Sequence, residues 1–303
     1  MSKNIVICSD GTGNTAMKGR GTNVFKLYEA VDIHLEDTRQ VTLYDDGVGT
    51  QTFNPLKLLS GAIGLGLSKN VVQLYTELAH LYNPGDRIYL FGFSRGAFTV
   101  RTLAGLIYQC GILDHDCGSE AELKRRATAA YRAFRCRKLA ILEKTLCAIF
   151  GFIFRGKCCK KDNLTTVREK YALENKAFKS HPKSDKKIIP PIDMIGVWDT
   201  VSAMGFPVKE ISDFINLTIY RFKFENQDLG KNVSRACHAL SIDDERKTFH
   251  PLLWNENEDT RSTIEQVWFS GVHANVGGGY PKQGMSLVTL DWMLHKAGEA
   301  GLV

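Results

Sequence analysis

Residues 87–98 read RIYLFGFSRGAF, and no other stretch constrains the fold as strongly. Ile88, Tyr89, Leu90 and Phe91 form a short apolar run of β-type residues, launched by the turn Asn83-Pro84-Gly85-Asp86. Gly92-Phe93-Ser94-Arg95-Gly96 follows at once, and then a helix-compatible stretch, Ala97 to Ile107. A serine between two glycines at a sharp strand-to-helix turn is the layout of a nucleophile elbow. Pushing the hydroxyl clear of a sheet strains the serine backbone, and side chains two residues to either side would meet strand or helix. Glycine removes that collision. The rival reading is a tight βα turn with an incidental serine. An acid and a histidine following in the right order separate the two.

Strand and helix signals alternate along the chain. Ile5–Cys8 reads as a strand, and a helix through Val24, Leu27, Tyr28, Val31 and Leu35 follows, capped by Thr22 or Asn23. Val41–Tyr44 is a second strand, and an amphipathic helix over 69–82 precedes the elbow strand. Strand character returns at 191–198, 236–242 and 266–270, and a helix over 286–297 closes the series. Such alternation predicts an α/β fold, a mostly parallel sheet with helices on both faces, and the elbow makes it α/β-hydrolase-like. A single domain over 1–303 accommodates it, with one basic helical insertion at 115–187.

Sites in such sheets lie outside the carboxyl ends of the strands. The residues there are Asp10-Gly11-Thr12, Asp45-Asp46-Gly47, Ser94, Asp199-Thr200, Asp243-Asp244 and His273. Ser94, Asp199 and His273 stand in the chain order of an α/β-hydrolase triad. Ser94 is the candidate nucleophile, His273 the base and Asp199 the carboxylate that orients it. Asp243 and Asp244 are alternative acids, and either Asp199 role competes with simple capping of the next segment. His238 and His250 are alternative bases, although His238 falls inside a strand-like run and reads as a core histidine. His273 belongs to the Gly-rich loop GVHANVGGGY, residues 271–280.

An oxyanion hole needs two backbone donors. The Arg95 N–H, heading the elbow helix, supplies one candidate, and the loop Asp10-Gly11-Thr12 the other. A phosphate-binding reading of that loop is weak, since it lacks the P-loop lysine and the G-x-G-x-x-G spacing. Gly61-Ala62-Ile63-Gly64-Leu65-Gly66 has the glycines but no preceding strand, and reads as a loop. The chemistry so assembled needs no metal and no cofactor. The eight cysteines show no paired CxxC spacing, which argues against zinc and for free thiols in a reducing compartment.

The net charge of +6 conceals an asymmetry. Residues 124–187 hold 19 basic and 5 acidic residues, a local balance of +14, on an otherwise mildly acidic chain. Within that segment KRRATAAYRAFRCRK (124–138) is cationic, Leu139 to Phe154 is largely apolar, and Arg155 to Lys161 is cationic again. An apolar stretch of this length between cations suits contact with an anionic lipid surface through 124–161. A lid over the site is a second reading, and an apolar stripe packed on the body a third. No nucleic-acid motif accompanies the charge, so no nucleic-acid partner is expected. The N-terminus carries no signal-type apolar region, so a cytoplasmic or peripheral-membrane location is expected, with secretion by a signal-independent route left open.

Four blocks, Ser9 to Asn14, Pro84 to Ala97, Gly196 to Val201 and Gly271 to Tyr280, together resemble an α/β-hydrolase family long labelled a domain of unknown function. That family includes the phospholipase effectors of bacterial type VI secretion. The resemblance implies a serine esterase acting on lipid, with phospholipase A activity among the effectors. It maps the nucleophile onto Ser94, the histidine onto His273 and the acid onto Asp199. The family usually carries Asp two residues after that histidine, where this chain has Asn275. The expected partner is therefore a lipid or other ester. The contrasting class is a non-catalytic membrane-binding or interaction module on a hydrolase scaffold.

Overall fold

Six strands pair side by side in the order β2-β1-β3-β4-β5-β6, and every pairing is parallel. They are β1 (Asn4–Ser9), β2 (Gln40–Asp45), β3 (Arg87–Phe93), β4 (Met194–Trp198), β5 (Ala236–Ser241) and β6 (Ile264–Phe269). Among the described residues the helices are α1 (Asn23–Ala30), α2 (Ala62–Leu81), α3 (Arg95–Cys110), α4 (Glu120–Cys147), α5 (His273–Gly277) and α6 (Gly284–Glu299). This computed structural model describes residues 2–11, 21–35, 38–47, 62–115, 119–147, 189–201, 228–246, 249–258, 260 and 263–303, with backbone alone at 62–65 and 136–147.

Both faces of the sheet are covered, which is why its central strands read as unbroken apolar runs. Alternate side chains divide cleanly between two cores. Ile5, Ile7, Ile88, Leu90, Ile195 and Val197 face α2, α3 and α4. Val6, Cys8, Tyr89, Phe91, Phe93 and Trp198 face the other way, against Val24 and Leu27 of α1 and Leu290 and Met293 of α6. Gly196 is required by this second layer: a Cβ there would lie 2.6 Å from the Phe91 ring and 2.7 Å from the Met293 sulfur.

The strand order reverses direction between β1 and β3, and a crevice forms at such a switch point, at the carboxyl ends of the strands. β1 ends at Ser9, β3 at Phe93, β4 at Trp198 and β5 at Ser241, so Asp10, Ser94, Asp199 and Ile242 all leave the same edge.

Two sequence expectations require correction. Ala62 to Gly66, read as a Gly-rich loop, is the first part of α2; the glycines extend a helix whose apolar face is anchored further along by Leu67, Val71, Leu74, Tyr75 and Leu78. The first helix stops at Ala30 and not at Leu35, because the chain turns at Val31 and the Asp32 N–H pairs with the Val303 carbonyl. A local apolar pattern cannot anticipate that distant partner.

The basic segment is helical from Glu120 to Cys147. Its first half packs on the body through Leu123, Ala127, Ala130, Tyr131 and Phe134, while Lys124, Arg125 and Arg132 face outward. Glu122 takes up part of the charge, bonding Arg125 at 2.6 Å and Arg126 at 2.7 Å. Most of the apolar and cationic stretch read at 139–161 lies outside the residues described. No described helix is long and apolar enough to cross a membrane.

Candidate active site

Ser94 occupies the turn between β3 and α3 with φ 58° and ψ −120°, a left-handed conformation that side chains rarely adopt. Such strain persists only where the surroundings over-determine it. Here the Ser94 N–H donates to the Trp198 carbonyl at 3.0 Å, and the Ser94 carbonyl accepts from Phe98 at 3.3 Å and Val201 at 3.4 Å. The two flanking glycines answer the steric demand read from the sequence. A Cβ on Gly92 would lie 2.7 Å from the Ala97 backbone, and one on Gly96 only 2.0 Å from the Ser9 carbonyl oxygen.

Asp199 follows β4 directly and is fully buried, also at positive φ (41°). Its Oδ2 lies 2.6 Å from His273 Nδ1, and the same oxygen accepts the Ser241 hydroxyl at 2.9 Å. Its Oδ1 accepts the Ser241 N–H at 3.0 Å. A carboxylate accepts and does not donate, so the imidazole proton belongs on Nδ1 and Nε2 carries the lone pair. The ring is packed between Phe93, whose centroid is 4.6 Å away, and Phe249 at 4.7 Å. Phe93 is the residue before Ser94, so the histidine rests on the elbow itself. Gly277 makes this close approach feasible: a Cβ there would lie 2.0 Å from the Phe93 ring.

The alternative acids are elsewhere. Asp243 accepts the Gly271 N–H at 2.6 Å, and Asp244 accepts the His273 backbone N–H at 3.1 Å while chelating Arg246. The Arg246 guanidinium holds the Asp244 carboxyl well below the usual carboxylate range. Both acids brace the loop carrying His273 by its backbone, and neither is recorded on the imidazole. His238 is buried in β5, and His250 is exposed. Asn275 caps α5, its Oδ1 accepting the Val272 N–H at 3.1 Å, a task any short acceptor side chain performs.

The expected upstream oxyanion donors also need correction. The Asp10 N–H donates to the Asp45 carbonyl at 2.9 Å, and the Gly11 N–H donates to the Asp10 carboxylate at 2.6 Å. Both are therefore engaged, and Thr12 lies outside the described residues. The Asp10 side chain has a different part: its Oδ2 also accepts the hydroxyls of Thr22 at 2.5 Å and Tyr44 at 2.7 Å. The loop it organises lies against the start of α3, where Gly96 approaches Ser9 and Asp10. The Arg95 N–H heads that helix, where no intrahelical acceptor is available to it.

Ser241 and Phe249, which touch the acid and the histidine, are not singled out by sequence reasoning. Ser241 ends a strand two residues before Asp243, and that position at the active edge is its one legible signal. Among the described residues, no group of three or more His, Cys, Asp or Glu side chains is placed to hold a metal ion.

A parallel sheet in this order, with a strained serine between its third strand and the following helix, is an α/β-hydrolase fold. Residues 3–296 match the catalytic domain of Tle1-like phospholipase effectors of the type VI secretion system, and the chain belongs to that family. It is 35% identical over 124 residues to the uncharacterized protein YEL023C of Saccharomyces cerevisiae, a match covering 37% of this chain and 18% of that protein. The fold also resembles that of an uncharacterized protein from Pseudomonas aeruginosa, with a TM-score of 0.54 at 16% identity. That likeness covers 99% of this chain and 46% of the other, so the chain spans less than half the length of these relatives.

Proposed function

We propose that the chain is a serine esterase that cleaves acyl esters of lipids, with phospholipase A chemistry. The observation that carries this reading is the buried His273–Asp199 pair beside the strained Ser94 turn, within a chain of the phospholipase effector family. His273 Nε2 takes the Ser94 hydroxyl proton as Oγ attacks the ester carbonyl carbon. The carbonyl π bond becomes an oxyanion, which the Arg95 N–H and the amino-terminal end of α3 stabilise. Collapse of this intermediate breaks the bond to the leaving alcohol, which receives the proton from His273 and departs, leaving an acyl-Ser94 ester. Water repeats the sequence and releases the fatty acid. Asp199 keeps the imidazole proton on Nδ1 and stabilises the imidazolium formed in each half-reaction.

Contact with an anionic lipid surface belongs to the same reading, through the outward cations Lys124, Arg125 and Arg132 and the segment that follows them. Incubation with a fluorophosphonate probe tests the chemistry. Wild type should label on Ser94, and Ser94→Ala should not; an unlabelled wild type would leave the non-catalytic binding module as the better account. Release of fatty acid from phosphatidylcholine vesicles, compared with short p-nitrophenyl esters, then tests the substrate class.

A further inference from the structure

A second histidine stands behind the acid turn. His238 lies in β5 opposite Val197 of β4 and is fully buried. Its neighbours Cys237 and Ala239 face α1 and α6, so strand alternation turns His238 toward the other face, where Trp254 meets it edge-on at 5.4 Å. Its Nε2 is 3.1 Å from the backbone nitrogen of Thr200. A peptide N–H only donates, so Nε2 must be unprotonated.

The other ring nitrogen gives the same answer independently. His238 Nδ1 faces Gln266 Oε1 at 3.4 Å. The orientation of that amide is set by Trp254, whose N–H donates to Oε1 at 2.8 Å and whose carbonyl accepts from Nε2 at 3.1 Å, and by Glu256, which accepts from Nε2 at 2.7 Å. Oε1 thus requires a donor at Nδ1. Burial and the facing Arg101 charge both favour the neutral ring, and Glu256 bonds the far side of the Gln266 amide.

The Thr200 backbone is held on both sides. Its N–H meets His238, and its carbonyl accepts from the Leu252 N–H at 2.8 Å. The Leu252 and Leu253 carbonyls in turn accept from Arg101, whose guanidinium lies 4.5 Å over the Trp254 ring. Arg101 is on α3, the helix that begins after Ser94. The strained Asp199 backbone therefore sits beside a peptide clamped to β5 and tied, through 252–254, to the elbow helix.

We propose that His238 is a positioning residue for the acid: as a neutral imidazole accepting the Thr200 N–H, it holds the left-handed Asp199 turn that presents Oδ2 to His273. Its kinetic consequence rests on the esterase reading above, whereas its geometric consequence does not.

The test compares His238→Asn with His238→Gln. Asparagine ends near the Nδ1 position and leaves the Thr200 N–H without an acceptor; glutamine carries its amide oxygen out to the Nε2 position. Each protein is titrated at Ser94 with a fluorophosphonate, and kcat and KM per titrated site are measured on p-nitrophenyl butyrate. The low-field proton resonance of the His273–Asp199 hydrogen bond is recorded in parallel. The Asn variant should lose roughly 10- to 100-fold in kcat at unchanged KM and shift or broaden that resonance, while Gln remains close to wild type. An Asn variant with wild-type kcat and an unmoved resonance overturns the proposal with the esterase reading intact. If wild type itself fails to label, the esterase reading falls, and the resonance alone decides the role of His238. Should the Asn variant not fold, Gln266→Met removes the partner of Nδ1 and should lower kcat and move the resonance in the same direction; no change in either overturns the proposal.

Discussion

One oxygen, Oδ2 of Asp199, serves both His273 Nδ1 at 2.6 Å and the Ser241 hydroxyl at 2.9 Å. The acid is thus fixed to β5 before it meets the imidazole, and its direction does not depend on the histidine being present. Asp199→Asn keeps the shape but offers an amide where a carboxylate is needed, so the imidazole loses its tautomer and its counter-charge. We expect kcat to fall by about 10³- to 10⁴-fold, measured on a soluble ester. Asp244→Asn removes the charge shared by the His273 backbone N–H and Arg246 but leaves the partner of the imidazole in place; with about 1.5 kcal/mol at stake in the bond to the loop, kcat should fall roughly tenfold. Equal losses in the two variants would place the acid wrongly.

Gly96→Ala should damage both stability and reactivity. Its Cβ would lie 2.0 Å from the Ser9 carbonyl oxygen and 2.6 Å from that of Asp10, and neither is a flexible side-chain end. Overpacking of this methyl against backbone at the elbow should cost about 3 kcal/mol, lowering Tm by roughly 6 to 10 °C. The rate of fluorophosphonate labelling should drop with it, since the loop after β1 must separate from α3.

Asp10→Ala leaves the Gly11 N–H and the hydroxyls of Thr22 and Tyr44 without this acceptor. A destabilisation of about 2–4 kcal/mol is expected by urea unfolding, given that an unmet buried donor costs about 1–3 kcal/mol. Asp10→Asn should be milder, because rotating hydroxyls can donate elsewhere or accept from the amide. A wild-type midpoint for Asp10→Ala would show that the loop is organised by other contacts.

Acid should unfold the protein partly through His238. Burial, and then the Arg101 charge, holds this imidazole well below its ordinary value of 6.5. The unfolded chain therefore binds a proton that the native state refuses. Stability contributed by the neutral ring is complete above about pH 6.5 and declines as pH falls, by about 1.4 kcal/mol per unit until the native group itself titrates. Thermal melts across pH 4–8 should show a shallower acid limb in His238→Gln than in wild type. Parallel limbs would contradict the assignment.

The elbow is legible in the sequence because its causes are local: the β-type run, the two glycines and the helix all lie within residues 87–107. The shared placement of Ser94, Asp199 and His273 is legible because each follows a strand, and parallel strands share their carboxyl edge. What stays hidden depends on partners remote in the chain. Gly11 looks like an oxyanion donor until Asp10, anchored by Thr22 and Tyr44, accepts its N–H. His238 reads as a core histidine, and it is one, but its bond to Thr200 follows from the register of β4 on β5. Gly64 and Gly66 suggest a break that the packing of α2 overrides.

The strand order has a kinetic corollary. Ser94, Asp199 and His273 come from three stretches separated by 74 residues or more, joined through parallel pairings that no hairpin can nucleate. Contacts of such high sequence separation form late and slowly. No shorter species ending before β6 can hold the imidazole in place, so reactivity should arrive as one of the last events of folding. A labelling reagent added during refolding would then act as a clock for closure of the whole sheet.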